Sequence, residues 1–308
     1  MQITRKLYTQ KAEILLYLRD RASESHGEII RIYGEKDYKE RSAAINKAVT
    51  LTTTNLKNII FQRASTQGWR KDEVLKNILI VTYCSYVVMI EFRNMVWSYE
   101  NMSFSRRIGE LWEPFCKLCF DYPVRTDVEL YEPPLFSEVK EQLQEEIRQY
   151  IFNLSLSEKE KQQLICYYDK VWSLVTSGEI KLELDLHFRI DQHNFNVDFK
   201  SGFQSNEKGN TNRLLLIASI YKNIIGENND CLLFIRANED DNNHYLQTLK
   251  NSGIWGVYCG IETYQKIHEY SGFDLASWIE SNISWSEDLS QETQAHFQKN
   301  DLTKYLTW

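Results

Sequence analysis

The stretch KLELDLHFRIDQHNFNVDFK, residues 181–200, alternates apolar and polar residues on either side of a turn-forming Asp191-Gln192-His193-Asn194. Lys181–Ile190 and Phe195–Lys200 therefore read as two half-buried strands. Pairing them antiparallel about Gln192–His193 sets Leu186 opposite Phe199, Phe188 opposite Val197 and Ile190 opposite Phe195, all apolar. The other face then pairs Asp185 with Lys200, His187 with Asp198 and Arg189 with Asn196. A one-residue slip would mix the two sets, so the pattern itself selects a register. The polar face gathers Glu183, Asp185, Asp198 and Lys200. Asp185 and Asp198 form a diagonal pair, about 7–8 Å apart, from which two carboxylates can reach one cation.

Downstream, a loop with Gly202 and Gly209 leads into a helix from about Thr211 to Ile225. The continuous apolar run Cys231–Ala237 reads as a strand buried on both faces. A helix over Asn242–Lys250, a strand over Ile254–Gly260, and helices near Thr263–Tyr270 and Leu275–Ser281 follow. Hairpin, helix, strand, helix, strand is the order of a mixed sheet with helices packed on it.

Upstream, the chain reads as helix. Lys11–Arg21, Ser42–Arg63 and Asp72–Tyr99 carry apolar residues at three- and four-residue steps. The last is so apolar in its middle (ILIVTYCSYVVMIEF) that it reads as the buried helix of this half. Ser103–Phe120 is a further helix, capped by Ser103 or Ser105 and bent or shortened by Pro114. Helices over Ser137–Asn153 and from the capping pattern at Ser157 to about Val175 complete this half. The expected class is α+β or α/β: a mixed β-sheet core flanked by helices, with a large, mostly helical N-terminal region. Residues 1–100 form that region, and 101–308 form the core, with a helical insertion at about 121–176.

Only 4 Pro and 12 Gly in 308 residues argue against disorder and against an architecture of many tight turns. A net charge of −7 excludes a uniformly basic coat for nucleic acid, but not a basic cleft on an acidic body. Six scattered Cys are too few for a disulfide scaffold in a chain of this length. Cys116 and Cys119 form one C-x-x-C, which reads as two small apolar residues on a helix. No segment reads as a signal peptide or reaches transmembrane length, so a cytoplasmic protein without a membrane partner is expected. No P-loop, G-x-S-x-G or H-E-x-x-H occurs.

Carboxylates beside a lysine suit Mg²⁺, a hard ion that takes oxygen ligands and keeps several waters. An acid-x-Lys triplet alone is cheap. Four occur, at Asp37–Lys39, Glu138–Lys140, Glu179–Lys181 and Asp198–Lys200. Only the last ends a strand that follows an Asp-bearing strand in matched register. Asp185, followed across a hairpin by Asp198-Phe199-Lys200, resembles the signature of the PD-(D/E)XK nuclease superfamily. That superfamily includes most type II restriction endonucleases. Two features depart from it: Leu184, not Pro, precedes Asp185, and the sequence marks no first core strand.

The resemblance implies that Asp185, Asp198 and the Phe199 carbonyl bind Mg²⁺ and that Lys200 assists the attacking water. It also implies a Glu on the first core helix, for which Glu110 is the favoured residue and Glu113 the alternate. Phosphate contacts are expected from Lys208, Asn210, Asn212 and Arg213 at a helix start, and from Arg106 and Arg107. The implied activity is site-specific hydrolysis of double-stranded DNA by a homodimer partnered with a cognate DNA methyltransferase. A structure-specific or repair nuclease, and a non-catalytic nucleic-acid-binding protein with a decayed nuclease fold, are the alternatives.

Overall fold

The structure, a computed structural model, describes residues 5–34, 37–173, 180–204 and 207–308. Helices α1 (Lys6–Thr9), α2 (Lys11–Tyr33), α3 (Tyr38–Gln67), α4 (Lys71–Val96) and α5 (Asn101–Asp121) come first. Strand β1 (Val128–Leu130) and helices α6 (Phe136–Asn153) and α7 (Glu158–Ser173) follow. Then come β2 (Leu186–Ile190), β3 (His193–Lys200), α8 (Lys208–Ile220), β4 (Asn229–Ile235), α9 (His244–Asn251) and β5 (Trp255–Cys259). Helices α10 (Ile261–Ser271), α11 (Leu275–Asn282), α12 (Trp285–Asp288) and α13 (Gln291–Lys299) close the chain. The class is α+β: many helices and one five-stranded mixed sheet.

Two compact units divide the chain. One joins Met1–Val128 to Cys259–Trp308, and the other is Glu129–Tyr258. The helical unit thus takes in α5 and the C-terminal helices, whereas the sequence reading divides the chain after residue 100. Its centre is α4, where every residue from Ile78 to Glu91 is buried. By length and hydropathy α4 could cross a membrane, which the sequence reading did not anticipate, but it is mostly buried. Its one inward charge, Glu91, accepts two bonds from Arg19 (2.9 and 2.6 Å) and one from the Ser290 amide (2.6 Å).

Helix α5 runs through Pro114 to Asp121 without stopping. Burial of Ile108, Leu111, Trp112 and Phe115 on one face outweighs the hydrogen bond that proline removes. The helix starts two residues earlier than the serines suggest. Ser103 Oγ accepts the Glu100 amide at 3.1 Å, as the third residue of the helix and not its cap. Ser157 does cap: its amide donates to Glu160 at 2.9 Å, and its hydroxyl accepts the Glu160 amide at 3.4 Å. Val175, where that helix was expected to end, lies outside the described residues.

The sheet runs β1-β2-β3-β4-β5. Strands β2 and β3 are antiparallel; β3 and β4 are parallel, with α8 between them in sequence. Cys231 to Ile235 on β4 are all buried, as a doubly covered strand requires. Beyond Ile220 the expected helix changes to a π-helical turn, Tyr221–Ile225.

The hairpin register differs from the expected one by two residues. Leu186 faces Val197, His187 faces Asn196, Phe188 faces Phe195 and Ile190 faces His193. The cause is the turn. Asp191 adopts a left-handed φ of 53°, so two residues, Asp191 and Gln192, reverse the chain where four were expected. A shift of two keeps every side chain on its own face, so Leu186, Phe188, Phe195, Val197 and Phe199 are still buried. Phe188 and Phe195 now stack at 4.9 Å. The polar face is covered rather than solvated: Asn196, Asp198 and His187 are 0, 2 and 6 % exposed. Strand β2 begins at Leu186, so Lys181–Asp185 precede the ladder.

Candidate metal centre

Leu186 opposite Val197 places Asp185 at the level of Asp198 on the neighbouring strand. The register expected from the sequence sets them diagonal; the shorter turn sets them face to face. Asp185 Oδ2 accepts the Phe199 amide at 2.7 Å, which fixes its carboxylate at the end of β3. Lys200 Nζ donates to the Phe199 carbonyl at 3.1 Å and contacts the Asp198 carboxylate. Asp185, Asp198, the Phe199 carbonyl and Lys200 are therefore one cluster.

The end of β3 is held from outside the hairpin. The Arg236 amide donates to the Lys200 carbonyl at 3.0 Å, and the Ala237 amide to the Ser201 carbonyl at 3.1 Å. Asn242 Oδ1 accepts the Phe203 amide at 2.6 Å. These bonds lock the backbone just beyond Lys200.

Burial pushes the Asp198 carboxyl up to about 6, against the pull of Lys200 and with the push of the Asp185 charge. Arg213 also pulls it down, so that guanidinium is near enough to be felt. Two facing carboxylates, one of them buried, are costly without compensating positive charge. Among the described residues Asp198 Oδ2 has no partner besides the Lys200 ammonium.

The donors present, two carboxylates and a backbone carbonyl, are hard oxygens that fit Mg²⁺ or Mn²⁺. Among the described residues no three His, Cys, Asp or Glu side chains are grouped to hold a metal. A Mg²⁺ site does not need three, because substrate phosphate and water complete its shell.

The remaining expected residues fall into two places. Lys208, Asn210, Asn212 and Arg213 lie on the first turns of α8, with Lys208, Asn212 and Arg213 exposed. Asn210 donates to Glu207 at 3.4 Å, and Arg213 Nη2 donates to the Glu183 carbonyl at 3.2 Å. Glu183 itself is exposed. Glu110 lies on α5 in the helical unit, paired with Arg106 at 2.7 Å and Arg107 at 3.7 Å. Glu113 pairs with Lys117 at 3.8 Å. Cys116 and Cys119 are free, buried thiols on α5, as the sequence suggests.

His187 pairs across the hairpin with Asn196 and not with Asp198. It bonds Asn196 at 2.8 Å, and Asn196 also accepts the Tyr131 hydroxyl at 2.6 Å. Sequence reasoning missed this network because Tyr131 follows a three-residue strand that leaves no periodic signal. No protein-family model matches the chain, and neither a curated protein nor a solved structure matches it.

Proposed function

We propose that the sheet unit carries a Mg²⁺-dependent nuclease centre and that the protein hydrolyses both strands of DNA as a type II restriction endonuclease or a close relative. The observation that carries this reading is the convergence of Asp185, Asp198 and Lys200 on the Phe199 peptide.

In this reading Asp185, Asp198 and the Phe199 carbonyl hold the ion. When bound, it polarises a phosphoryl oxygen, acidifies a water and neutralises charge on the leaving oxygen. The chain's own residues do the rest. Asp185 is pre-set by the Phe199 amide, so little reorganisation is needed on loading. Lys200 is a compact point charge whose donors can turn from the Phe199 carbonyl and Asp198 toward the attacking water. Arg213, exposed on α8, offers a planar fork to the neighbouring phosphate. Each chain supplies one such centre, and a duplex has two strands, so the working form is a homodimer. A DNA methyltransferase protecting the host sites is the expected companion.

The test is cleavage of phage or plasmid DNA in Mg²⁺ by the wild-type chain and by Asp198→Ala. Discrete fragments from the wild type and intact DNA from the variant are expected. Fragments that persist in the variant would remove the site. Random or end-dependent degradation by the wild type would assign a structure-specific or repair nuclease instead.

A further inference from the structure

Resting on the nuclease reading above, we infer that His187 is a positioning residue for Asp185, held in one tautomer by Asn196 and Tyr131. The ladder of β2 begins at Leu186, so the backbone carrying Asp185 lies beyond regular pairing. Side chains hold it there. The Leu184 amide donates to His187 Nε2 at 2.9 Å, and the Tyr221 hydroxyl donates to the Leu182 carbonyl at 3.2 Å. Tyr221 opens the π-helical turn after α8, and its ring lies 6.3 Å from the His187 ring.

The imidazole's protonation state follows from its partners. A nitrogen that accepts an amide N–H carries no proton, so in the neutral ring Nδ1 carries it. Nδ1 then donates to Asn196 Oδ1 at 2.8 Å. Asn196 cannot flip freely, because its Nδ2 donates to the Asp230 carbonyl at 3.3 Å. Its Oδ1 accepts the Tyr131 hydroxyl as well, at 2.6 Å. Both His187 and Asn196 are buried, where a fully satisfied network is stiff and a broken one costly. Asp185 is thus pinned from two sides: through the Leu184 peptide by His187, and through its carboxylate by Phe199.

A histidine that merely fills the core would be indifferent to which amide it bonds. This one bonds the amide of Leu184, the residue before a proposed ligand, the role that residues behind metal ligands play elsewhere. The probe is Mn²⁺, with the bound ion read by electron paramagnetic resonance on the full chain. Imidazole ¹⁵N shifts and exchange of the Leu184 amide are recorded on the metal-free protein.

His187→Ala should weaken Mn²⁺ binding by about tenfold or more. His187→Gln, which can still accept and donate, should restore most of it. The metal-free wild type should show the proton on Nδ1, and Leu184 exchange should accelerate in His187→Ala. A proton on Nε2, or wild-type Mn²⁺ affinity in a His187→Ala chain whose Leu184 amide has loosened, overturns the role. Should His187→Ala fail to fold, Tyr131→Phe takes its place. A partial loss of affinity supports the role, and an unchanged affinity overturns it. A wild-type chain that binds no Mn²⁺ fails the nuclease reading itself, and that result is distinct from a wrong tautomer.

Discussion

The carboxylate of Asp185 accepts the amide N–H of Phe199 at 2.7 Å, the peptide immediately after Asp198. One side chain therefore does two things: it satisfies a backbone donor at the end of a strand, and it presents negative charge beside a buried carboxylate. These functions separate by substitution. Asp185→Asn keeps an acceptor for Phe199 and removes the charge. Metal-free Asp185→Asn should melt at or above the wild-type temperature, yet bind Mg²⁺ at least tenfold more weakly by calorimetry. Asp185→Ala loses both functions and should also cost about 1–2 kcal/mol in denaturant titration.

Asp198 gives a pH dependence with a definite sign. Its carboxyl titrates at about 6 in the fold, above the ordinary value of 3.8. A raised carboxyl destabilises the metal-free fold once ionised, so the penalty is absent below about pH 4, grows from 4 to 6, and is complete above 6. Asp198→Asn should therefore stabilise the metal-free protein at pH 8 by roughly 3 kcal/mol, and change it little at pH 4. Mg²⁺ must displace the proton, so affinity should fall below about pH 6. A flat difference between wild type and variant across pH 4–8, in chemical denaturation, would refute this.

Lys200 is the proposed proton-handling and charge-neutralising group. Lys200→Ala should lower the cleavage rate by roughly a hundredfold or more while leaving Mn²⁺ binding measurable. Lys200→Arg should not recover the rate, because a planar guanidinium cannot replace a compact ammonium against Asp198 and the Phe199 carbonyl. Single-turnover rates read this directly.

Much of this was legible in residues 181–200 because strand periodicity is strict: one slip exchanges the faces, so the faces were right. The turn was less legible. Whether four residues or two reverse the chain rests on Asp191 adopting a positive φ, which asparagine-like residues permit but do not dictate. That one angle moved Asp185 from diagonal to directly opposite Asp198. Pro114 was misleading about the helix end: local propensity argues for an early stop, and burial of Trp112 and Phe115 argues harder. In the Tyr131–Asn196–His187 network, His187 meets Asn196 only through the two-residue turn, and Tyr131 lies 65 positions from Asn196, a separation that strand periodicity does not reach.

The helical unit offers a test of stability alone. Glu91 is buried and takes Arg19 in a two-bond pairing, while Arg19 also donates to the Asp288 carbonyl at 2.6 Å. Removing one partner of a buried pair leaves the other uncompensated. Glu91→Ala should cost about 3–5 kcal/mol in urea denaturation, and Glu91→Gln less. A loss under 1 kcal/mol for the alanine variant would mean that Arg19 finds other partners.

The most direct measurement of the central claim is a Mn²⁺ titration followed by electron paramagnetic resonance at pH 8, for wild type, Asp185→Asn and Asp198→Asn. One bound ion per chain in the wild type, lost or weakened at least tenfold in both variants, is the predicted result. Equal binding by all three folded chains, or none by the wild type, would contradict a shared metal between these two aspartates.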